Sequence, residues 1–170
     1  QIIAEADGFV SANIISSVSG TVKAIEKREN VLGTTDLSIV VVNDGQYTLA
    51  EGVGKEVDPT TLTAQEILAK VKAAGIVGLG GAGFPTHVKL APKDPAAIKY
   101  VIANGAECEP YITCDDQLMR NYADEIVGGL KIMLQLFPNA EGVVLIEENK
   151  PEAIAAVQKV CANENKIHVH

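Results

Sequence analysis

The chain has 170 residues, a formal net charge of −8 and a hydrophobic content of 47%, a composition typical of a globular protein rather than a disordered one. The acidic excess argues against a nucleic-acid backbone as the main partner, since phosphate binding needs a basic face. The cysteines Cys108, Cys114 and Cys161 have neither disulfide-framework spacing nor a CxxC pair. We therefore expect free thiols, and neither a zinc site nor an iron–sulfur cluster within this chain.

Residues 1–50 lack a helical period and predict a small β-rich segment. Runs rich in Val, Ile, Ser and Thr, such as "GTVKAIEK" and "LSIVVVN", alternate with turn signals. Residues 51–75 predict a linker and one helix. In that helix Thr63 and Glu66 have the spacing of a capping box, and Gly75 stands where the helix should end.

Residues 76–170 predict a Rossmann-like α/β domain with a parallel sheet. The strand-like "AIKYVIANGA" is followed by the helical "NYADEIVGGLKIMLQLF", the strand-like "EGVVLIEEN", a helix opening at Pro151 and a final strand in "KIHVH". Because the last element is a strand and the first residue is not Met, we expect a piece of a longer protein whose sheet continues beyond residue 170. No apolar run reaches the length of a membrane span.

The segment "GIVGLGGAGFPTHVKL", residues 75–90, is unusually rich in glycine. Glycines let a ligand approach the backbone, and Lys89 could add a charge-assisted contact to a phosphate. A tight structural turn is the alternative interpretation. The segment is not a Walker A loop, because Phe84 follows the glycines where Lys-Ser/Thr would stand, and it follows a helix rather than the first strand of a Rossmann unit. We favour a ligand loop of another kind.

The segments "GLGGAGFPTHVKL" and "NGAECEPYITCDDQLM" closely resemble the C subunit of the Rnf electron-transport complex. More distantly they resemble the flavin- and NADH-binding subunit of respiratory complex I. The segment "EADGFVSANIISSVSGTV" is similar to the β-rich, lipoyl-like (barrel-sandwich hybrid) segment that precedes the flavin domain in Rnf C subunits. The expected carrier turn, "SANIISSVSG", has no lysine, so we interpret this segment as a non-carrier module.

The resemblance implies a non-covalent FMN, with NADH or NAD exchanging hydride at the flavin, and it assigns cofactor-binding residues. The glycines would pass the FMN phosphate and ribityl chain, Lys89 would hold the phosphate or a ring carbonyl, and Phe84 would stack on a ring of the dinucleotide. Asn104 would contact the flavin, and the glutamates would line the flavin and nicotinamide side. The full set is Gly78, Gly80, Gly81, Gly83, Phe84, Lys89, Asn104, Glu107, Glu109 and Glu148, with Glu147 aligned beside Glu148.

The sequence departs from the complex I pattern at several positions. Val77 and Leu79 stand where that pattern has arginines, and Ala106 stands where it has an acidic residue. These departures weaken the expectation of dinucleotide binding more than that of flavin binding. Without the resemblance, the acidic turn "NGAECEP" would be interpreted as a solvated surface loop.

The resemblance predicts a peripheral protein on the cytoplasmic face of the membrane, in an ion-translocating complex that passes electrons between ferredoxin and NAD. It places the [4Fe-4S] cluster ligands and a further flavin-binding turn downstream of this chain. We therefore expect no bound flavin and no activity in this chain alone. The partners would be the other Rnf subunits, ferredoxin through the complex, and NADH or NAD. The alternative is a non-catalytic docking or assembly module of a redox complex.

Overall fold

The computed structural model describes residues 1–80 and 82–170, and the chain divides into two compact units. The first unit comprises residues 1–58 and 69–89, and the second comprises residues 59–68 and 90–170. The boundary therefore falls within a helix, and the three-part division expected from the sequence stays a prediction.

The first unit begins with two antiparallel strand pairs, which confirms the β-rich segment. In the longer pair Ile25 lies opposite Ile39, and the register shifts between Val22 and Ala24. The strands are β1 (Ile2–Ala4), β2 (Ile14–Ile15), β3 (Gly20–Glu29) and β4 (Thr35–Asn43). β1 pairs with β2, and β3 pairs with β4.

Helix α1 (Ala64–Ala73) has both of the end signals predicted from the sequence. The Thr63 N–H donates to the Glu66 carboxylate at 2.8 Å, and the Glu66 N–H donates to the Thr63 hydroxyl at 3.3 Å, which is a capping box. At the other end Gly75 has φ +63°, and its N–H donates to the Lys72 carbonyl at 3.0 Å. A left-handed glycine at this position ends a helix without a Cβ penalty.

The second unit is built on a parallel sheet of the kind predicted, with strand order β5-β6-β7. A short helix in the predicted strand–helix connection, α3, was not anticipated from the sequence. The remaining elements are α2 (Thr86–Lys89), which closes the first unit, and then β5 (Tyr100–Asn104), α3 (Cys114–Asn121), α4 (Ala123–Leu134), β6 (Glu141–Leu145), α5 (Pro151–Cys161) and β7 (Ile167–Val169).

The core of the second unit lies between the sheet and its helices. Leu130 and Val157 are fully buried there with Val144 of the central strand. Alternate residues of a strand point to opposite faces, and on β5 Val101 packs against this core while Ile102 is half exposed. The burial of apolar side chains is the main stabilising contribution to a small domain.

Strands β5 and β6 end side by side, with Asn104 paired in register with Leu145. In open parallel sheets ligands bind outside the carboxyl ends of the strands. Glu107, Glu109 and Glu148, which the resemblance assigns to a cofactor, follow these two strand ends, and their assignment stays a prediction.

Candidate functional site

The glycine loop, residues 78–84, is closed at its base in the manner of a hairpin. The Gly78 N–H donates to the Phe84 carbonyl at 2.9 Å, and Val77 forms an antiparallel bridge with Pro85. Phe84 itself is partly exposed. These contacts hold the two ends of the loop together at a fixed base.

Lys89 stands at the end of α2 with its ammonium group beside this base. An ideal Cβ placed on Gly78 would lie 3.8 Å from Lys89 Nζ and 3.7 Å from the Phe84 carbonyl oxygen. The lysine is exposed, and it shares no ion pair with a described carboxylate. The sequence placed these residues together, and the structure shows a positive charge next to bare backbone, an arrangement suited to an anion.

The other loop glycines differ in their backbone φ angle, and so in whether another residue could replace them. Gly83 has φ +59°, a left-handed conformation that favours glycine, whereas Gly80 has an ordinary φ and open space around it. Gly81, also assigned to the cofactor, lies outside the described residues. Leu79, which stands where the complex I pattern has an arginine, is 95% exposed. Local geometry thus explains Gly83 and leaves Gly80 without a steric requirement.

In the strand-end turn, residues 104–109, the buried Gly105 packs closely against the sheet and α3. The Asn104 side-chain oxygen accepts the Ala106 N–H at 3.2 Å. A Cβ on Gly105 would lie 2.6 Å from the Met119 sulfur and 2.9 Å from the Leu145 carbonyl oxygen, so only glycine fits there. This close packing fixes where Asn104 stands at the end of β5.

Glu107 directs its carboxylate at the first turn of α3. One oxygen accepts the Asp115 N–H at 2.9 Å, and the other accepts the Asp116 N–H at 3.0 Å. These bonds, the Asp115 N–H foremost, lower the pKa of Glu107 below its ordinary value, with help from the Cys114 thiol and the Lys150 charge, while partial burial acts in the opposite sense. The structure thus makes Glu107 a helix cap.

Cys114, the first residue of α3, donates its thiol to the Glu107 carboxylate at 3.3 Å. This hydrogen bond, then burial and the nearby acidic charges, raises the pKa of Cys114. Helix N-termini ordinarily lower a thiol pKa, so the carboxylate reverses the usual effect. Cys108 and Cys161 are also free thiols, as expected from the sequence, the first exposed and the second buried.

A group of possible metal ligands does occur in the described part of the chain. Ligand atoms of Glu107, Cys114 and Asp115 lie within 4.8 Å of one another. Both Glu107 oxygens already accept hydrogen bonds from α3, and the Cys114 thiol is held protonated. The geometry is therefore that of a capped helix end.

A cavity of about 170 Å³ opens at the carboxyl end of β5, inside the second unit. Asn104 and Asp115 are the polar residues that line it, and Leu118 and Met119 of α3 are among the apolar ones. Pockets for drug-sized ligands measure roughly 300–1,000 Å³. This cavity by itself can hold one end or one ring of a cofactor, not all of it.

The remaining glutamates that the resemblance assigns have fewer described hydrogen bonds than Glu107. Glu109 and Glu148 are exposed, whereas the Glu147 carboxylate accepts the Glu107 N–H at 3.4 Å. That contact links the turn after β5 to the turn after β6. Glu107 and Glu147 are therefore brought together, and Glu109 and Glu148 face solvent.

Sequence reasoning missed α3 and with it Asp115, Leu118 and Met119. The available signal was its charge pattern, with acidic residues in the first turn and Arg120 in the last, which suits a helix dipole. Within the described residues, no helix is long and apolar enough to cross a membrane.

Two family models match the chain. A model described as the Nuo51 FMN-binding domain matches residues 71–170, and one described as the RnfC barrel sandwich hybrid domain matches residues 1–46. The second match confirms the barrel-sandwich character expected for the β-rich segment, and the first covers the glycine loop, the strand-end turn and the parallel sheet.

Curated relatives agree with the resemblance found in the sequence. The chain is 40% identical over its whole length to the C subunit of the Na(+)-translocating ferredoxin:NAD(+) oxidoreductase complex of Acetobacterium woodii, of which it covers 38%. It is 42% identical to the proton-translocating counterpart of Clostridium ljungdahlii, with 94% of the chain and 35% of the relative covered. It is 43% identical to the C subunit of the ion-translocating oxidoreductase complex of Pseudomonas aeruginosa, with 92% of the chain and 20% of the relative covered. The similarity to Rnf C subunits is thereby confirmed, and the chain spans less than two fifths of each of these relatives.

Proposed function

Because the chain belongs to the Nuo51 FMN-binding domain family, we propose that it contributes part of the FMN and NAD(H) site in the C subunit of an ion-translocating ferredoxin:NAD oxidoreductase. The names of its relatives support this membership. We call the longer protein that would contain the chain the complete subunit. The observation that carries the proposal is the Lys89 ammonium standing beside the backbone of Gly78, which bears no side chain, at the base of the glycine loop.

The residues of the loop fit a phosphate group. Nζ of Lys89 offers hydrogen-bond donors and a charge, and no side chain at Gly78 or Gly80 blocks the backbone. Because the chain carries a net charge of −8, which repels an anionic ligand, such a ligand needs a local positive charge such as that of Lys89. We propose that Gly78, Gly80, Gly81, Gly83 and Lys89 bind the phosphate end of FMN, with Phe84 available to stack on a ring.

The strand-end turn, within the second unit, is a candidate position for the flavin on its own evidence. Asn104 and the cavity beside it stand at the sheet edge where cofactors bind in this fold class. We propose that Asn104 contacts the flavin, and that Glu109 and Glu148, whose carboxylates are exposed, face the nicotinamide side. Since the cavity of about 170 Å³ is smaller than a whole-cofactor pocket, we expect this chain alone to bind no flavin.

A bound flavin would supply exchange of two electrons with NAD(H) and of single electrons with iron–sulfur clusters. The chain's own residues would bind and orient it. We propose that the [4Fe-4S] clusters lie in the rest of the complete subunit, and that its partners are the other subunits and, through them, ferredoxin. We also propose a peripheral position on the cytoplasmic face of the membrane.

The test is the Lys89→Met variant of the complete subunit, which keeps the aliphatic stem and removes the charge. Loss of a hydrogen bond to a charged group should weaken FMN binding by about 1.5–3 kcal/mol, measured by quenching of flavin fluorescence. Lys55→Met, at an exposed lysine in the linker that follows the β-rich segment, is the charge-matched control. Unchanged FMN affinity in Lys89→Met would reject the phosphate role. A complete subunit that binds no flavin would reject the proposal and favour a docking module.

A further inference from the structure

We propose that Glu107 is a positioning residue, whose carboxylate fixes the N-terminal end of α3 and thereby the α3 wall of the cavity beside Asn104. The alternative, which the family resemblance suggests, is direct contact between this carboxylate and the bound cofactor. The part of the inference that concerns the cofactor rests on the proposed function.

The Glu107 carboxylate directs its hydrogen bonds at α3. It accepts the Asp115 and Asp116 N–H groups at 2.9 and 3.0 Å, and the Cys114 thiol at 3.3 Å. The first N–H groups of a helix have no partner within the helix and need an acceptor. A carboxylate placed there also complements the positive end of the helix dipole.

The residue in the usual capping position does not cap α3 with its side chain. Thr113 is the N-cap of α3, yet its side chain makes no capping hydrogen bond. A threonine in that position commonly accepts the N–H two or three residues on. Glu107, further back along the chain, takes over this role and ties the strand-end turn to the helix.

Helix α3 forms one wall of the cavity beside Asn104. Asp115, Leu118 and Met119 line the cavity together with Asn104, and a Cβ on Gly105 would already collide with the Met119 sulfur at 2.6 Å. A small rotation of the first turn of α3 would therefore change the cavity directly. The Glu107 N–H, bonded to the Glu147 carboxylate at 3.4 Å, anchors the cap to the neighbouring strand end.

The experiment compares Glu107→Gln and Glu107→Ala in the complete subunit, purified without added FMN. We expect hydrogen exchange of the Asp115 and Asp116 amides to accelerate roughly twofold to thirtyfold in Glu107→Ala, which is the range for a lost N-cap. Glu107→Gln should restore part of the protection, because its amide oxygen can accept one N–H. Glu109→Gln removes a neighbouring exposed carboxylate and should leave α3 exchange unchanged.

Cys114 provides an independent readout. In a Cys108→Ser background, alkylation of Cys114 should be faster in both Glu107 variants, because the thiol loses the carboxylate that accepts its hydrogen. The same preparations are then titrated with FMN. Affinity should fall in Glu107→Ala and recover partly in Glu107→Gln, while the midpoint potential of bound flavin stays at the wild-type value.

Each contrary outcome identifies the failing step. The inference would be overturned if the α3 amides exchange, and Cys114 is alkylated, at wild-type rates in Glu107→Ala. A positive shift of the flavin midpoint potential in Glu107→Gln would also overturn it, because that shift is expected when a negative charge in contact with the flavin ring is removed. Faster exchange with unchanged FMN affinity would show that the cap does not shape the site. If the unsubstituted protein binds no FMN, the proposed function fails and the cavity has no cofactor to shape, but exchange and alkylation still decide whether Glu107 holds α3.

Discussion

Gly78→Ala separates the two interpretations of the glycine loop more cleanly than any other substitution in it. The added methyl carbon would lie 3.7 Å from the Phe84 carbonyl oxygen and 3.8 Å from Lys89 Nζ, which are ordinary van der Waals distances. Gly78 has no positive φ, so the backbone accepts alanine. Replacing glycine at such a site also reduces the entropy of the unfolded chain by about 0.4–1 kcal/mol. We therefore expect the free energy of unfolding to stay within about 1 kcal/mol of wild type.

The effect on a phosphate ligand should be much larger. An oxygen that accepts a hydrogen bond from Lys89 Nζ stands about 2.8 Å from it, and the new methyl group at 3.8 Å would occupy the adjoining space over the backbone. A phosphate oxygen displaced by this methyl group would lose its charge-assisted hydrogen bond to Lys89. That loss costs about 1.5–3 kcal/mol, which corresponds to a roughly tenfold to 150-fold weaker FMN affinity. The assay is a fluorescence titration of the complete subunit, paired with urea unfolding of the same preparation.

Two further variants make this result interpretable. Gly129→Ala adds a methyl group in open space on α4, remote in sequence from the loop, and should leave FMN affinity unchanged. Gly83→Ala places alanine at φ +59° and should cost stability whatever the loop does. Wild-type FMN affinity in Gly78→Ala would refute the close-approach argument and leave the glycines as turn formers only.

Two predictions concern stability. Gly129→Ala should raise the free energy of unfolding by about 0.5–1 kcal/mol in urea titrations, because alanine is the better helix former and nothing described lies within 4 Å of the added carbon; a loss of stability would show that another element fills this space. The second concerns pH. The folded state lowers the pKa of Glu107, chiefly through the Asp115 N–H, so its contribution is complete above the ordinary glutamate value of about 4.3 and is lost as the pH falls through the lower folded value. Chemical unfolding across this acid range should therefore show a smaller loss of stability in Glu107→Gln than in wild type, and parallel losses would contradict the assignment.

Features that depend on neighbouring residues could be predicted from the amino-acid sequence. The capping box of Thr63 and Glu66 and the left-handed Gly75 lie within a few residues of the helix they bound, and both are present in the structure. The alternation of strands and helices after residue 99 likewise follows from local periodicity, and it was sufficient to predict the parallel sheet. The motifs that resemble Rnf C subunits were long enough to predict the family before any fold was known.

The role of the acidic turn, by contrast, emerges only in the folded chain. From the sequence, Glu107 and Glu109 are equivalent carboxylates in "NGAECEP", and both were assigned to the cofactor. The fold brings the first turn of α3 back over this segment, so Glu107 meets N–H groups of residues 115 and 116, while Glu109 stays exposed. The same return explains why Cys114 keeps its proton at a helix end that usually favours a thiolate. Local pattern could not separate these roles, because an unpaired helix N–H selects its acceptor by proximity in space, and that proximity exists only after β5, the turn and α3 have packed together.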